Sequence, residues 1–275
     1  MSATLAAAPP RSARAVAWAW ERRHIIATFV LLFLAWEFLT RLFGVPEYLL
    51  PPPSTVAREF ARRWGRVSAH VGSTTLEIVL GYLVSILVSI PLALAIANSR
   101  FVERTAYPVI VFLQIIPKIA IAPLFVIWFG IGITPRVLIV FLLCFFPIVI
   151  ASIAGFRSVR PEIVELARST GAGQWLTFRK ISVPAALPSI FTGLKVAAAL
   201  AATAAVVSEF VAADRGLGYL LLEFQGDLNT PMVFGIIVLL SFIGLAVYYL
   251  VELIERLAIP WHVSQRGHGT TVGTM

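Results

Sequence analysis

Residues 165–188 read ELARSTGAGQWLTFRKISVPAALP, and the fold turns on what surrounds them. They form the longest polar interruption in the C-terminal two-thirds of a very apolar chain, with long hydrophobic runs on both sides. A polar loop between two such runs is held at a membrane surface. Its local signals are those of two short helices with a break. Pro161 suits a first helical position, Glu162 and Glu165 sit in the first turns, and Gly171 stops the helix. In the second segment, Gln174 to Ile181, Trp175, Phe178 and Ile181 recur every three residues, with Arg179 and Lys180 between them. This spacing predicts an amphipathic surface helix that Pro184 ends.

Hydrophobic residues make up 59% of the 275 residues and charged residues 13%, which excludes an ordinary soluble domain. A bilayer span needs about 20 apolar residues. Such runs lie near 25–43, 75–97, 106–129, 136–155, 190–212 and 232–258. The expected fold is therefore an all-α integral membrane protein with about six transmembrane helices. Residues 1–24 form an N-terminal tail, 25–262 the transmembrane domain with its surface loop at 156–189, and 263–275 a C-terminal tail. The first apolar run is too long for a signal peptide and lacks a small-residue cleavage site, so it is expected to remain as a span.

The single cysteine, Cys144, lies inside an apolar run and excludes an intrachain disulfide. The net charge of +8 is spread over loops and span ends, which fits anionic lipid better than nucleic acid. None of the lysines (Lys118, Lys180, Lys195) follows a glycine-rich phosphate loop, so any ATP must be bound by a partner. His24, His70, His262 and His268 fall in tails or loops without an acidic partner at ligand spacing. No catalytic residue, metal or cofactor is expected.

With the N-terminus inside, thirteen basic side chains fall on the cytoplasmic side and seven outside. The positive-inside bias thus favours both termini in the cytoplasm. The run from Arg58 to Arg66 is an exception. It lies on an amphipathic helix after Pro51 to Pro53, capped by Ser54 or Thr55, and either rests on the outer leaflet or receives an acidic patch of a partner.

Ionisable side chains at membrane depth are costly and mark function by default. Lys118 sits midway along span three between Pro117 and Pro123. It either walls a translocation path, attracting an anion or polar ring, or snorkels or pairs with a carboxylate such as Glu209. Glu209, late in span five, is either part of an outer gate or a carboxylate bonded within the bundle. Glu77 is expected at the interface. The alanines between Ala197 and Ala205 predict a face for close helix packing.

Glu165, Ala167, Gly171, Ile181 and Pro184 match, at the right spacing, the loop pattern of permeases of binding-protein-dependent ABC importers. Leu166 and Val183 depart mildly from it. The Leu-Pro-x-Pro-Ser-x-Val form of residues 50–56, the stretch from Pro117 to Gly130, and Ser208-Glu209 before Gly216-Leu217-Gly218 are similar to the nitrate, sulfonate, taurine and thiamine-precursor branch. The resemblance covers roughly residues 45–262. It implies a type I importer permease architecture in a bacterial or archaeal plasma membrane and no catalysis by this chain. It further implies a loop docked on a cytoplasmic ATPase, and a homodimer working with two ATPase subunits and an external binding protein. The substrate class would be nitrate, sulfonate, taurine or a pyrimidine or flavin precursor; Pro117 to Ala120 and Trp261-His262 resemble the last of these most. A secondary transporter would show symmetric halves and coupling-ion sites, and an intramembrane enzyme or scaffold would need facing titratable pairs; the sequence displays neither.

Overall fold

The computed structural model describes residues 11–212 and 214–261, leaving out the side chains of 11–22, 25, 26 and 212. Residues 1–10 of the expected N-terminal tail and the expected C-terminal tail at 263–275, with His262 and His268, lie outside the described residues. Every regular element among the described residues is a helix: α1 (Arg11–Leu42), α2 (Pro53–Arg62), α3 (Trp64–Asn98), α4 (Arg100–Ile115), α5 (Lys118–Phe129), α6 (Ile133–Arg157), α7 (Pro161–Ser169), α8 (Gln174–Thr177), α9 (Val183–Ala212), α10 (Leu217–Gly226) and α11 (Thr230–Ala258). One π turn, Phe178–Ser182, joins α8 to α9.

Four stretches are long and apolar enough to cross a bilayer by themselves: α3, α6, the run through α8 and α9, and α11. Helices α4 and α5 pass only as a pair and meet at 98°, so the expected third span near 106–129 is a broken one. Pro117 explains the break. It has no N–H to continue the ladder, and it holds Ile116 in extended conformation at φ −62°, ψ 131°. Helix α1 covers the expected first span but is not among these candidate spans, and it begins at Arg11, taking in half of the expected tail.

The core is a three-helix stack of α3, α6 and α9. Ile78, Val140, Cys144, Ile148, Ala197 and Ala201 are buried together. Serines on α3 bind carbonyls of α6, Ser85 Oγ to Phe141 O at 3.0 Å and Ser89 Oγ to Phe145 O at 3.2 Å. These bonds advance along both helices together, so α3 and α6 run parallel. The chain between two parallel spans must recross the bilayer, and α4–α5 is that crossing. Helix α9 runs antiparallel to α6. Close to the loop, a Cβ on Gly155 would sit 2.7 Å from the carbonyl oxygen of Ala186, so the two backbones meet where only glycine fits. The alanine face expected for span five packs into this stack, with Ala197, Ala198, Ala201, Ala204 and Ala205 fully buried.

This arrangement puts α2, α10 and the start of α6 at one end of the bundle. The loop of α7–α8 and the start of α4 lie at the other.

Candidate coupling loop and intramembrane polar sites

Helix α7 starts on Pro161 and ends in a Schellman motif. Gly171 adopts φ +82°, its N–H bonds Arg168 O at 3.0 Å, and the Ala172 N–H reaches back to Ala167 O at 3.0 Å. Two members of the loop pattern thus have a mechanical reason: Ala167 supplies the carbonyl and Gly171 the backbone angle. Glu165 is exposed and its side chain, among the described residues, carries no bond or ion pair. Leu166, Trp175 and Leu176 are also exposed, leaving an apolar patch on the loop.

The second half of the loop corrects the sequence reading. Pro184 ends no helix. Gln174 to Val211 form one continuous 38-residue helical run, in which Val183 N–H bonds Phe178 O five residues back. The π turn absorbs one extra residue, and Pro184, which has no N–H to lose, takes the second position of α9. Ile181 and Pro184 are half-buried at this joint.

Lys118 opens α5 beside the break. Its Nζ donates to Gln114 O at 2.6 Å, a carbonyl that α4 leaves unbonded at its end, and lies 4.7 Å from the centroid of Phe146. Phe146 is near the midpoint of α6, so the ammonium sits at mid-depth. It does not pair with Glu209.

Glu209 is 1% exposed and accepts from Thr74 Oγ1 at 2.6 Å and from the Gly218 N–H. The Thr74 hydroxyl in turn accepts from the Leu217 N–H at 2.8 Å. Glu209 therefore caps α10 and ties its leading turn to α3. A Cβ on Gly218 would lie 2.8 Å from Glu209 Oε2, which accounts for a glycine there.

Glu77 is not interfacial. It is fully buried, and its Oε1 takes Arg136 at 2.5 Å and Ser73 at 3.1 Å. Arg136, counted among the outer loop charges from sequence, is 4% exposed and also binds Gly132 O at 2.8 Å and Arg215 O at 3.2 Å. His70 is likewise in a helix, not a loop, and its Nδ1 accepts from the Gly216 N–H at 2.9 Å. Sequence reasoning missed the grouping because its members are 59 to 146 residues apart.

The basic run from Arg58 to Arg66 is largely neutralised. Arg62 and Arg63 pair with Glu59, Arg66 pairs with Glu223, and the Arg63 and Arg66 guanidinium groups lie over Phe224 at 5.5 and 5.3 Å. At the start of α2, Ser54 N–H binds Glu37 Oε2 at 2.9 Å, so α1 provides the cap that neither Ser54 nor Thr55 supplies.

Residues 85–259 match the family described as binding-protein-dependent transport system inner membrane component. The riboflavin transport system permease protein RibX of Chloroflexus aurantiacus is 36% identical over 89% of this chain and 92% of its own length. The formylaminopyrimidine transport permease protein ThiX of Halalkalibacterium halodurans is 36% identical over 86% and 95%. The taurine transport system permease protein TauC of Escherichia coli is 30% identical over 90% and 94%. Among solved structures, an inward-facing MetNI methionine ABC transporter chain superposes with TM-score 0.63 at 16% identity, covering 71% of this chain and 97% of that one.

Proposed function

Since this chain belongs to the family of binding-protein-dependent transport system inner membrane components, and is a permease subunit of an ABC importer, we propose that it conducts a nitrogen heteroaromatic solute of the pyrimidine or flavin-precursor class. The observation that carries this choice is 36% identity to the riboflavin and formylaminopyrimidine permeases, against 30% to the taurine permease. Taurine, sulfonates and nitrate are the competing solutes. The subunit works as a pair with two ATPase subunits on its inner side and a binding protein outside. A groove of about 540 Å³ between α9 and α11, lined by Ala199, Ala202, Thr203, Ser241 and Gly244 among others, offers small residues for a close helix contact with the second copy. Uptake of labelled riboflavin, formylaminopyrimidine and taurine, measured with the partner subunits, tests the choice. Taurine uptake without either heteroaromatic would refute it.

Lys118 lines the path. A helix broken at membrane depth is tolerated where protein or a wet cavity satisfies it, and Lys118 retains donor capacity beyond its one carbonyl. An isolated ammonium at this depth costs roughly 2.5–3.5 kcal/mol, which the Gln114 carbonyl and Phe146 offset in part. Lys118→Met is expected to assemble normally while lowering uptake at least about tenfold, with Lys118→Arg keeping part of it. Unchanged uptake in the Met variant would remove Lys118 from the path.

The loop of α7–α8 faces the cytoplasm, and so do both termini. In a Cys144→Ala background, Ser54→Cys should react with impermeant thiol reagent only from outside and Gln174→Cys only from inside. Labelling of both from one face would exclude the six-span topology.

A further inference from the structure

We propose that the turn from Gly226 to Asn229, with the groove beside it, is where the external binding protein docks, anchored by Leu228 and Arg58. This role rests on the importer assembly and the outward placement proposed above. The turn is a Schellman motif like the one that ends α7. The Leu228 N–H bonds Gln225 O at 3.1 Å, and the Asn229 N–H bonds Phe224 O at 2.8 Å. In the coupling loop Gly171 holds the left-handed position, whereas here a leucine holds it at φ 53°. Leu228 is the one non-glycine residue with positive φ among the described residues. That conformation drives its Cβ towards the backbone and costs stability. Packing within the chain does not offset the cost, because the side chain is 76% exposed. A strained leucine that points out of the protein finds its compensating contact on another molecule.

The surroundings of Leu228 identify that molecule as a protein. A groove of about 420 Å³ adjoins it, lined by Glu47, Tyr48, Arg58, Arg62 and Asp227 among others. Tyr48 is exposed as well, so two large side chains stand in a charged rim, which is the anatomy of a protein–protein contact. Arg62, Arg63 and Arg66 are already paired with acids of this chain. Arg58 is exposed and has no ion pair among the described residues, which leaves it to meet a carboxylate of the partner. The carboxylates of Glu47 and Asp227 in the same groove would repel an anionic headgroup, which disfavours a lipid surface. The groove shares no residue with the α9–α11 face assigned to the second copy. The turn is also fixed before contact. Thr230 Oγ1 donates to Tyr48 O at 2.8 Å, and Asn229 Oδ1 accepts from the Met232 N–H at 3.3 Å. A pre-set anchor lowers the ordering cost of docking.

The test compares wild type, Leu228→Gly and Arg58→Glu in the assembled importer in lipid nanodiscs, titrated with the importer's own solute-loaded binding protein. Glycine takes the left-handed position without strain and removes no buried contact. Leu228→Gly should therefore unfold at or above the wild-type midpoint. It should nevertheless weaken docking at least about tenfold, read as the Kd of the binding protein and as the concentration that half-stimulates ATP hydrolysis. Arg58→Glu should weaken docking to a similar extent, and its affinity should fall less steeply with added salt than that of the wild type. Unchanged affinity in either variant, with the wild type stimulated, would overturn this docking surface alone. A wild-type importer that its loaded binding protein does not stimulate would instead remove the assembly on which the surface rests. A Leu228→Gly midpoint below wild type would show that the leucine packs within the chain, and would overturn its role. So would wild-type affinity in Leu228→Gly with a midpoint that follows lipid headgroup charge, since a lipid would then cover the leucine.

Discussion

Gly171→Val and Glu165→Lys should each leave the permease in the membrane and reduce substrate-stimulated ATP hydrolysis by the partner to its basal rate. The two substitutions act differently. Gly171 sits at φ +82°, and a Cβ added to it would have no atom within 4 Å, so valine meets no neighbour and disturbs only the backbone. A β-branched residue in the left-handed region costs about 1–2 kcal/mol or more. The chain escapes that cost by giving up the two bonds to Arg168 O and Ala167 O that end α7. Helix α7 would then point elsewhere while the bundle stays intact. The Glu165 side chain has no bond within the described chain, so reversing its charge leaves the fold unaffected. On the proposed docking, the charge acts at the surface offered to the ATPase, where lysine would meet a basic partner group. Membrane content by immunoblot and ATPase activity in proteoliposomes check both. Full stimulation in both variants would mean that the loop does not couple.

Arg136→Met should be the most damaging single change to stability. Its guanidinium serves Glu77, Gly132 O and Arg215 O from a site 4% exposed. Removing one partner of a buried ion pair costs about 3–5 kcal/mol, because the remaining charge is left without water or counter-charge. Pairing the change with Glu77→Gln should recover part of the loss, since no buried charge then remains at the broken pair. Thermal unfolding in nanodiscs reads both variants. An Arg136→Met protein within about 1 kcal/mol of wild type would show that the pair is not needed for stability.

What the sequence discloses and what it hides follow from range. The apolar runs, the loop and the angle at Gly171 are local, being properties of a few consecutive residues, and each is read from spacing and residue type. Glu209 is visible as an ionisable group at membrane depth, but its partners Thr74 and Gly218 come from other helices. Arg136 looks like a loop charge because it lies only three residues into α6. Nothing in its neighbours indicates that α3 runs parallel beside it and presents Glu77. Pro184 misleads for a related reason. Proline ends a helix when the preceding ladder needs its N–H, and the π turn at Phe178–Ser182 removes that need by a one-residue shift. Pro117 implies, by its residue type alone, no more than a freed carbonyl, whereas the chain turns through 98° there.

The contact of Gly155 with Ala186 has a consequence for how force enters the bundle. Residues 158–182 leave α6 and return to α9, and Gly155, just before the exit, meets the backbone of Ala186, just after the return. Such a loop is a bracket bolted at two adjacent points, not a tether. A pull on Trp175 that is carried past the π turn loads α6 and α9 together, because the contact joins them just beyond it. Compliance is left to the π turn and the two prolines, Pro184 and Pro188, beside the clasp, where the helical ladder has the fewest bonds. Over the 38 residues from Gln174 to Val211, about 57 Å of helix, a rotation of roughly 10° about the middle would carry each end some 5 Å. A displacement at the loop end of this helix would thus reappear, with opposite sign and similar size, at the other end, where Glu209 sits.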